Sequence, residues 1–359
     1  MNKTPDPVRI GVLGCGMIAQ AAHFESCQKA RNARLYALCD AADDLRNRMA
    51  QIWEPEVVYA DFKAMLADPK VEAVIIGIAD QFHVPAAAEA IEAGKHVLVE
   101  KPLGVSVEEC IRLLEIKRAA PDLIFRVGSM KRFDPGVAAA RRFIDEEMGT
   151  RLALKAWYCD STSRYTETGN LQPVIVRSAR SKRPEGDPKA NRESYYLLGH
   201  GSHLVDTARF LGGEIIRVDA RFLRRYDAYC WFVTADFADG SIGHLDLTLA
   251  VRMGWHEGFQ IYGEFGSVIG KIFNPWYLRS AEVECFSVRD GQFKRVLGED
   301  AHFYRLQIES FADAVRGNET FPPAAGIEDG LAVIRTLRAI QLSARRGKPV
   351  VVAEAAGAV

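Results

Sequence analysis

The stretch Val8-Arg9-Ile10-Gly11-Val12-Leu13 runs into Gly14-Cys15-Gly16-Met17-Ile18-Ala19, and Leu35-Tyr36-Ala37-Leu38-Cys39-Asp40 follows as a second apolar run. The order reads as strand, glycine turn, helix, strand. Gly14 allows a tight turn without a Cβ clash, Gly16 lets the backbone approach a pyrophosphate, and the small Ala19 lets the helix lie close on a sheet. A pyrophosphate is then expected on the free N–H groups at that helix's N-terminus. Glycines at this spacing are a weak signal alone. Their place between a strand and a helix, with an acidic residue ending the next strand, makes them a dinucleotide fingerprint.

Asp40 selects the cofactor. A carboxylate there accepts hydrogen bonds from ribose hydroxyls and repels a 2′-phosphate, so NAD is expected in preference to NADP. Ala41 follows it, not an arginine or serine that could hold that phosphate, although Arg46 and Arg48 are within reach in sequence. The bland alternative is an acidic residue closing a strand into a turn.

The chain has 359 residues, enough for two ordinary domains, and its 48% hydrophobic and 26% charged content is that of a globular protein. Forty-six basic residues nearly balance 47 acidic ones, for a net charge of −1, so nothing global points to nucleic acid or an anionic membrane. The cysteines (15, 27, 39, 110, 159, 230 and 285) are widely spaced, without Cys-x-x-Cys, and read as buried free thiols. No apolar stretch is long enough for a membrane span, and the first residues carry no secretory apolar core, so a cytoplasmic location is expected.

Beyond Asp40 come a polar helix to about Met49, Val57-Val58-Tyr59, and the continuous apolar run Val71–Ile78 of a strand buried on both faces. A helix over Pro85–Ala93 capped by Gly94 precedes a further strand, His96–Glu100. Strands alternating with helices predict an α/β Rossmann domain with a doubly wound parallel sheet, its ligand beyond the strands' carboxyl ends. Glu100-Lys101-Pro102 lies at such an end.

Ala90-Ile91-Glu92-Ala93-Gly94-Lys95-His96-Val97-Leu98-Val99-Glu100-Lys101-Pro102 resembles the signature of the glucose–fructose oxidoreductase / inositol dehydrogenase / rhizopine catabolism (Gfo/Idh/MocA) family. His83 and Val127-Gly128-Ser129-Met130-Lys131-Arg132-Phe133-Asp134-Pro135 agree with it, and the resemblance spans nearly the whole chain. It implies a cofactor site at Gly14, Gly16, Met17, Ile18, Ala19, Asp40, Ile78, His83, Glu100 and Lys101, and a boundary placing residues 1–130 in the nucleotide domain and 131–359 in a substrate domain. The last helix of that second domain is a candidate to fold back on the first.

From about Arg151 the pattern changes to short strands separated by turns: Leu152–Tyr158, Arg217–Leu223, Cys230–Phe237, Ile242–Leu249, Gly258–Tyr262, Val268–Ile272 and Val283–Val288. Without helices between most of them they predict an α+β domain with an open, mainly antiparallel sheet. Tyr304, Ile308, Phe311 and Val315, then Ile327, Leu331, Ile334 and Leu337, space the apolar faces of two closing helices. The resemblance implies that one sheet face roofs the substrate and the other serves oligomerisation, so a homodimer or homotetramer is expected. Ser161–Arg192 is irregular and, from Arg177 on, basic. It reads as a solvated loop or an arm to a neighbouring subunit, or else as a lid selecting an anionic sugar.

Tyr195–Gly212 is the second functional stretch. As a regular helix it places His200, His203 and Asp206 on one face. Three readings stay open: a structural histidine pair, a metal site lacking an evident third ligand, and acid–base catalysis, for which an imidazole titrating near neutrality suits an alcohol proton. The segment is similar to the family's Asp-x-x-x-His-x-x-Asp pattern, with His203 at the catalytic histidine. The catalytic aspartate's position is Gly199, which leaves His200 as the neighbouring substitute. These matches imply an NAD-dependent oxidoreductase acting on a ring hydroxyl of a sugar, glycoside or cyclitol. Lys101, His203 and His200 are its catalytic candidates, and Arg132, Tyr158, Arg164 and Tyr165 are further substrate contacts. A histidine followed by glycine here also resembles relatives that cleave glycosides through transient NAD chemistry, so a redox-neutral glycosidase, acting for instance on a sulfonated glycoside, is the alternative. A non-catalytic dinucleotide sensor is the third.

Overall fold

The run Val8–Leu13 forms strand β1 at the middle of a six-stranded parallel sheet. The computed structural model describes residues 6–162, 164–181, 190–298 and 301–359, and of Arg164 and Tyr165 the backbone alone. Its described residues divide into two units, the first comprising 6–130, 172–181 and 304–330. The first unit's strands are β1, β2 (Ala33–Cys39), β3 (Val57–Tyr59), β4 (Ala73–Ile76), β5 (His96–Val99) and β6 (Phe125–Val127), in spatial order 3-2-1-4-5-6. This is the doubly wound arrangement, whose ligand crevice opens where the order reverses, between β1 and β4. Apart from Arg9 near the start of β1, both strands are apolar on both faces, as a sheet covered by helices on each side requires.

The helices are residues 17–29, with a π-helical turn at Ala19–His23 before α1 (Phe24–Lys29), then α2 (Asp43–Trp53), α3 (Phe62–Ala67), α4 (His83–Glu92) and α5 (Val107–Arg118). Local sequence sets their ends. Asp61 caps α3 by accepting from Ala64 N–H, and Ser106 and Glu109 form a capping box on α5. Gly94, at φ +74°, ends the chain's excursion after α4.

The second unit, residues 131–171, 190–303 and 331–359 among those described, holds the nine-stranded sheet. α6 (Pro135–Glu146), capped by Asp134, leads into β7 (Arg151–Ser161). Then come α7 (Arg164–Leu171), α8 (Arg192–Tyr196), a π-helical turn at Leu197–Gly201 and α9 (Ser202–Gly212). The other strands are β8 (Ile215–Arg225), β9 (Ala228–Phe237), β10 (Ile242–Val251), β11 (His256–Gly263), β12 (Gly266–Ile272), β13 (Glu282–Ser287) and β14 (Gln292–Val296). Of the two closing helices, α10 (Phe303–Val315) belongs from Tyr304 on to the first unit and α11 (Ile327–Arg346) from Leu331 on to the second, where β15 (Val350–Val351) closes the sheet edge. The spatial order is 14-13-12-11-7-10-9-8-15.

All neighbours in this sheet are antiparallel except β7 and β10, which run parallel. That pair follows from the long helical passage after β7, since a parallel neighbour needs a crossover rather than a tight turn. Along β7 the alternation turns Leu154, Ala156, Tyr158 and Asp160 to the covered face, against which α9 lies. Tyr158 stands opposite Glu257 of β11 and Leu247 of β10.

Candidate active site

The glycine turn has the shape the fingerprint demands. Gly14 sits at φ +97°, and a Cβ there would lie 2.7 Å from the Gly77 carbonyl oxygen and 2.9 Å from Ile78 Cγ2, so the turn is pressed against the end of β4. Gly16 differs: a Cβ there would meet nothing within 4 Å, which leaves open space beside the helix start for a ligand's close approach. Met17 is exposed on that start, whereas Ile18 and Ala19 face the sheet side; Ala19 is fully buried. Asp40 bridges the turn to the next loop, accepting from Cys15 N–H through Oδ2 and from Ala42 N–H through Oδ1, each at 2.8 Å. Each oxygen keeps a lone pair, and the residue is half-exposed, as ribose hydroxyls require. The donor set and the open cradle fit NAD.

At the end of β5, buried Glu100 meets His23 of the π-helical turn, with Oε1 3.0 Å from Nε2. Burial pushes the Glu100 carboxyl up. The His23 bond and the positive fields of His23, Lys101 and His83 outweigh it and hold the group below the usual carboxylate range. Lys101 N–H donates to Glu100 Oε2 at 3.3 Å. The His83 ring is clasped between two carbonyls, Pro102 O at 2.7 Å and Ile78 O at 3.1 Å, which ties the Lys101 loop to the end of β4.

Residues 172–181 belong to this first unit and strap it. The Gln20 amide accepts from Val176 N–H and donates to Val176 O, both at 2.9 Å, while also donating to Cys15 O at 2.8 Å. Ser178 bonds Asp44 and Arg180 pairs with Asp43, both at the start of α2 beyond Asp40. The loop read from sequence as solvated or as an arm is, in this part, fastened to the nucleotide turn's own helix. Arg192 pairs with Asp227 in the second unit. Lys182, Arg183 and Lys189, on which the anionic-lid reading also rests, lie outside the described residues, as do the side chains of Arg164 and Tyr165.

In the second unit a polar cluster occupies the covered sheet face. Tyr158 Oη lies 3.2 Å from His200 Nδ1, and Asp160 Oδ2 lies 3.5 Å from the same nitrogen. His203 stacks parallel to the Tyr158 ring, with centroids 6.1 Å apart. Lys131 pairs with Glu257 and stands over the Tyr158 ring, 4.5 Å from its centroid, with the Trp255 ring 5.7 Å away. Burial drives the Glu257 carboxyl above its ordinary range; Lys131 opposes this, and the charges of Asp134 and Asp160 add to it.

The helix carrying the histidines is not regular. The π-helical turn Leu197–Gly201 holds His200, so the even spacing expected of His200, His203 and Asp206 is broken. His200 and His203 both meet Tyr158, whereas Asp206 turns to another partner. Asp206 receives Arg132, with Nη2 to Oδ1 at 2.6 Å and Nε to Oδ2 at 3.0 Å, and Arg132 also lies over the Phe210 ring. At Gly201 this helix packs tightly on α11: a Cβ there would sit 2.9 Å from Leu337 Cδ2.

Residues 8–128 match an oxidoreductase family described by its NAD-binding Rossmann fold, and residues 191–352 match the same family's C-terminal alpha/beta domain. The chain belongs to the Gfo/Idh/MocA oxidoreductase family. It is 28% identical over 270 residues to inositol 2-dehydrogenase 2 of Saccharopolyspora erythraea, covering 73% of this chain and 72% of that one. It is 25% identical to the uncharacterized oxidoreductase YrbE of Bacillus subtilis over 95% of each chain. A levoglucosan dehydrogenase solved with NADH and levoglucosan shares the fold, with a TM-score of 0.78 at 22% identity over 97% of this chain and 100% of that one.

Within this family frame, the first unit is an NAD-binding Rossmann domain. The fold brings Gly14, Gly16, Met17, Ile18, Ala19 and Asp40 together at one turn, and Ile78, His83, Glu100 and Lys101 at the neighbouring strand ends. In the second unit it gathers Tyr158, His200 and His203. Sequence reasoning missed Gln20 and His23, which look like ordinary helix residues, and Lys131, Asp160, Trp255 and Glu257. For Asp160 a signal existed: an acidic residue at the inward parity of an otherwise apolar strand. Among the described residues no helix is long and apolar enough to cross a membrane, and no three His, Cys, Asp or Glu residues cluster as metal ligands.

Proposed function

We propose that this protein is an NAD-dependent dehydrogenase of a ring hydroxyl on a neutral sugar or cyclitol. The observation that carries the reading is the buried imidazole, phenol and carboxylate cluster of Tyr158, His200 and Asp160, in a chain whose other unit carries the dinucleotide turn. The names of relatives, inositol 2-dehydrogenase and levoglucosan dehydrogenase, support the substrate class. When bound at Gly14, Gly16 and Asp40, NAD supplies a hydride acceptor. In the second unit His203 is the proton acceptor, with Tyr158 and His200 behind it, and in the first unit Lys101 is the cation assigned to stabilising negative charge. Asp40 favours NAD over NADP by charge. The exposed side chains of the second sheet, including Phe232, Ile242 and Ile269, are the surface on which a second copy would dimerise.

The test is purified protein with NAD or NADP and a panel holding myo-inositol, levoglucosan, neutral and anionic sugars and aryl glycosides, following nicotinamide absorbance and released aglycone together. NADH accumulating on a cyclitol or sugar is the expected result, and Lys101→Ala then lowers kcat by about 100-fold or more with NAD affinity kept. A second reading, redox-neutral glycoside cleavage, draws on Gly199, where the family pattern places its aspartate. Aglycone release without lasting absorbance change would establish it and overturn the dehydrogenase.

A further inference from the structure

We infer that residues 172–181 act on NAD through Gln20: this strap holds the Gln20 amide in the orientation that aims the N–H groups of the glycine turn outward, so that strap docking and NAD binding favour each other. The inference rests on the NAD-binding domain and on no particular sugar. Gln20 is a positioning residue in it.

The glycine turn is held by two of its carbonyls. Gln20 Nε2 donates to Cys15 O at 2.8 Å, and Gln20 N–H donates to Gly16 O at 3.1 Å. In a trans peptide the carbonyl and the following N–H point in opposite directions. Drawing both carbonyls towards Gln20 therefore turns Gly16 N–H and Met17 N–H away from it. They stand at the start of the helix over 17–29, where N–H groups lack an intrahelical acceptor and suit a phosphate. On its other side Cys15 gives its N–H to Asp40 Oδ2 at 2.8 Å. Cys15 is thus fixed through its N–H by the carboxylate assigned to the ribose, and through its carbonyl by Gln20.

The bond from Gln20 N–H comes with the helix. The side-chain bond depends on which way round the amide lies, because only its NH2 end can donate to Cys15 O. Val176 of the strap decides this: its N–H donates to Gln20 Oε1 and its carbonyl accepts from Nε2, both at 2.9 Å. Gln20 is only 4% exposed, so these bonds are costly to leave unmade. The strap also has anchors of its own. Val176 packs against the core cluster that includes Cys15, Ala19, Ala42 and Leu45. Ser178 Oγ donates to Asp44 Oδ1 at 2.7 Å, and Arg180 Nη1 pairs with Asp43. Both acids open α2 directly after Ala42, whose N–H donates to Asp40 Oδ1. The strap is therefore fastened beside both groups assigned to NAD, the glycine turn and Asp40. If it raises NAD affinity by pre-forming the turn, linkage requires NAD to favour the docked strap by the same factor.

The full chain is titrated with NAD by isothermal titration calorimetry as wild type, as Gln20→Met, as the strap variant Ser178→Ala with Arg180→Ala, and with all three substitutions. Amide hydrogen exchange over residues 172–181 is followed in wild type with and without saturating NAD. Methionine keeps the length and helix preference of glutamine but none of its hydrogen bonds. Gln20→Met is expected to raise the Kd for NAD about tenfold and the strap variant about fivefold. The combined variant is expected to lose no more than Gln20→Met alone, because the strap works through that amide. NAD is expected to slow exchange in the strap by about fivefold or more. Exchange untouched by NAD, a wild-type Kd in the strap variant, or penalties that add in the combined variant overturn the inference. So does a Gln20→Met protein that melts lower but binds NAD as wild type does, which is what a merely structural glutamine gives. Should Gln20→Met fail to fold, the strap variant's Kd and the exchange measurement still decide. None of these readouts needs turnover, so a failure of the dehydrogenase reading leaves the test intact.

Discussion

Substituting alanine at the two glycines of the nucleotide turn separates what the fold needs from what the cofactor needs. At Gly14 an alanine must hold φ near +97°, and its Cβ would press to 2.7 Å on the Gly77 carbonyl oxygen, a backbone atom that cannot swing aside. The backbone conformation costs about 1–2 kcal/mol and the overpacking about 1–3 kcal/mol. In a unit of this size each kcal/mol lowers the melting temperature by about 2–4 °C, so Gly14→Ala is expected to melt roughly 5–15 °C below wild type, with NAD binding lost alongside. Gly16→Ala meets nothing within 4 Å and has no positive φ, so its stability should match wild type or rise by up to about 1 kcal/mol. Its methyl group instead fills the space the pyrophosphate requires, raising the Kd for NAD at least about tenfold, or 1.4 kcal/mol. Differential scanning fluorimetry gives the first quantity and isothermal titration calorimetry the second. Gly16→Ala with unaltered affinity would remove the pyrophosphate from this turn, and Gly14→Ala with an unaltered melting temperature would refute the packing argument.

Asp206→Ala removes the bidentate pair from the Arg132 guanidinium, whose side chain is only 5% exposed, and should cost about 3–5 kcal/mol in urea unfolding; adding Arg132→Met should return most of it. The depressed Glu100 carboxyl contributes stability that is complete above the ordinary glutamate range and drains away as pH falls through its lowered value, so the stability gap between wild type and Glu100→Gln should be constant above the ordinary glutamate range and narrow as pH falls below it. A gap independent of pH would show that the His23 contact is not ionic. Burial raises Cys39 and Cys159 to about 12 and Cys285 to about 11, and six of the seven thiols are buried, so a thiol reagent on native protein should reach half-exposed Cys230 first and release all seven only in denaturant.

The first unit was legible because its signals are local. A continuous apolar run such as Val71–Ile78 can only be a strand covered on both faces, although Gly77, turning away beside Gly14, trims it to Ala73–Ile76. In the second unit the alternation located seven strands, but not β14, whose residues are nearly all exposed, nor the two-residue β15. The parallel pairing of β7 with β10 was hidden because register between strands distant in sequence leaves no local trace. The π-helical turn was hidden for a similar reason. Periodicity assumes regular hydrogen bonding, from which the turn that holds His200 departs. Gln20 and His23 give no motif at all, since their partners, Val176 and Glu100, come from elsewhere in the chain.

The covered face of the second sheet changes character at one level. On β7 the inward row passes from Leu154 and Ala156 to Tyr158 and Asp160, and on antiparallel β11 from Ile261 and Phe259 to Glu257, which stands opposite Tyr158. On the other side of β7, β10 stays apolar with Leu245, Leu247 and Leu249. Stability alone would extend the leucine rows to the strand ends, because a buried ion pair such as Lys131 and Glu257 is seldom better than hydrophobic side chains of the same volume. Two buried carboxylates, a lysine, a phenol and an imidazole in mutual contact are therefore a departure from the cheapest core. Asp134 shows what a purely structural buried acid looks like in the same unit, since it accepts from Gly136, Val137 and Ala281 N–H groups and caps α6. Asp160 and Glu257 are instead turned to titratable side chains, the arrangement expected where protons are moved rather than where backbone is tied down.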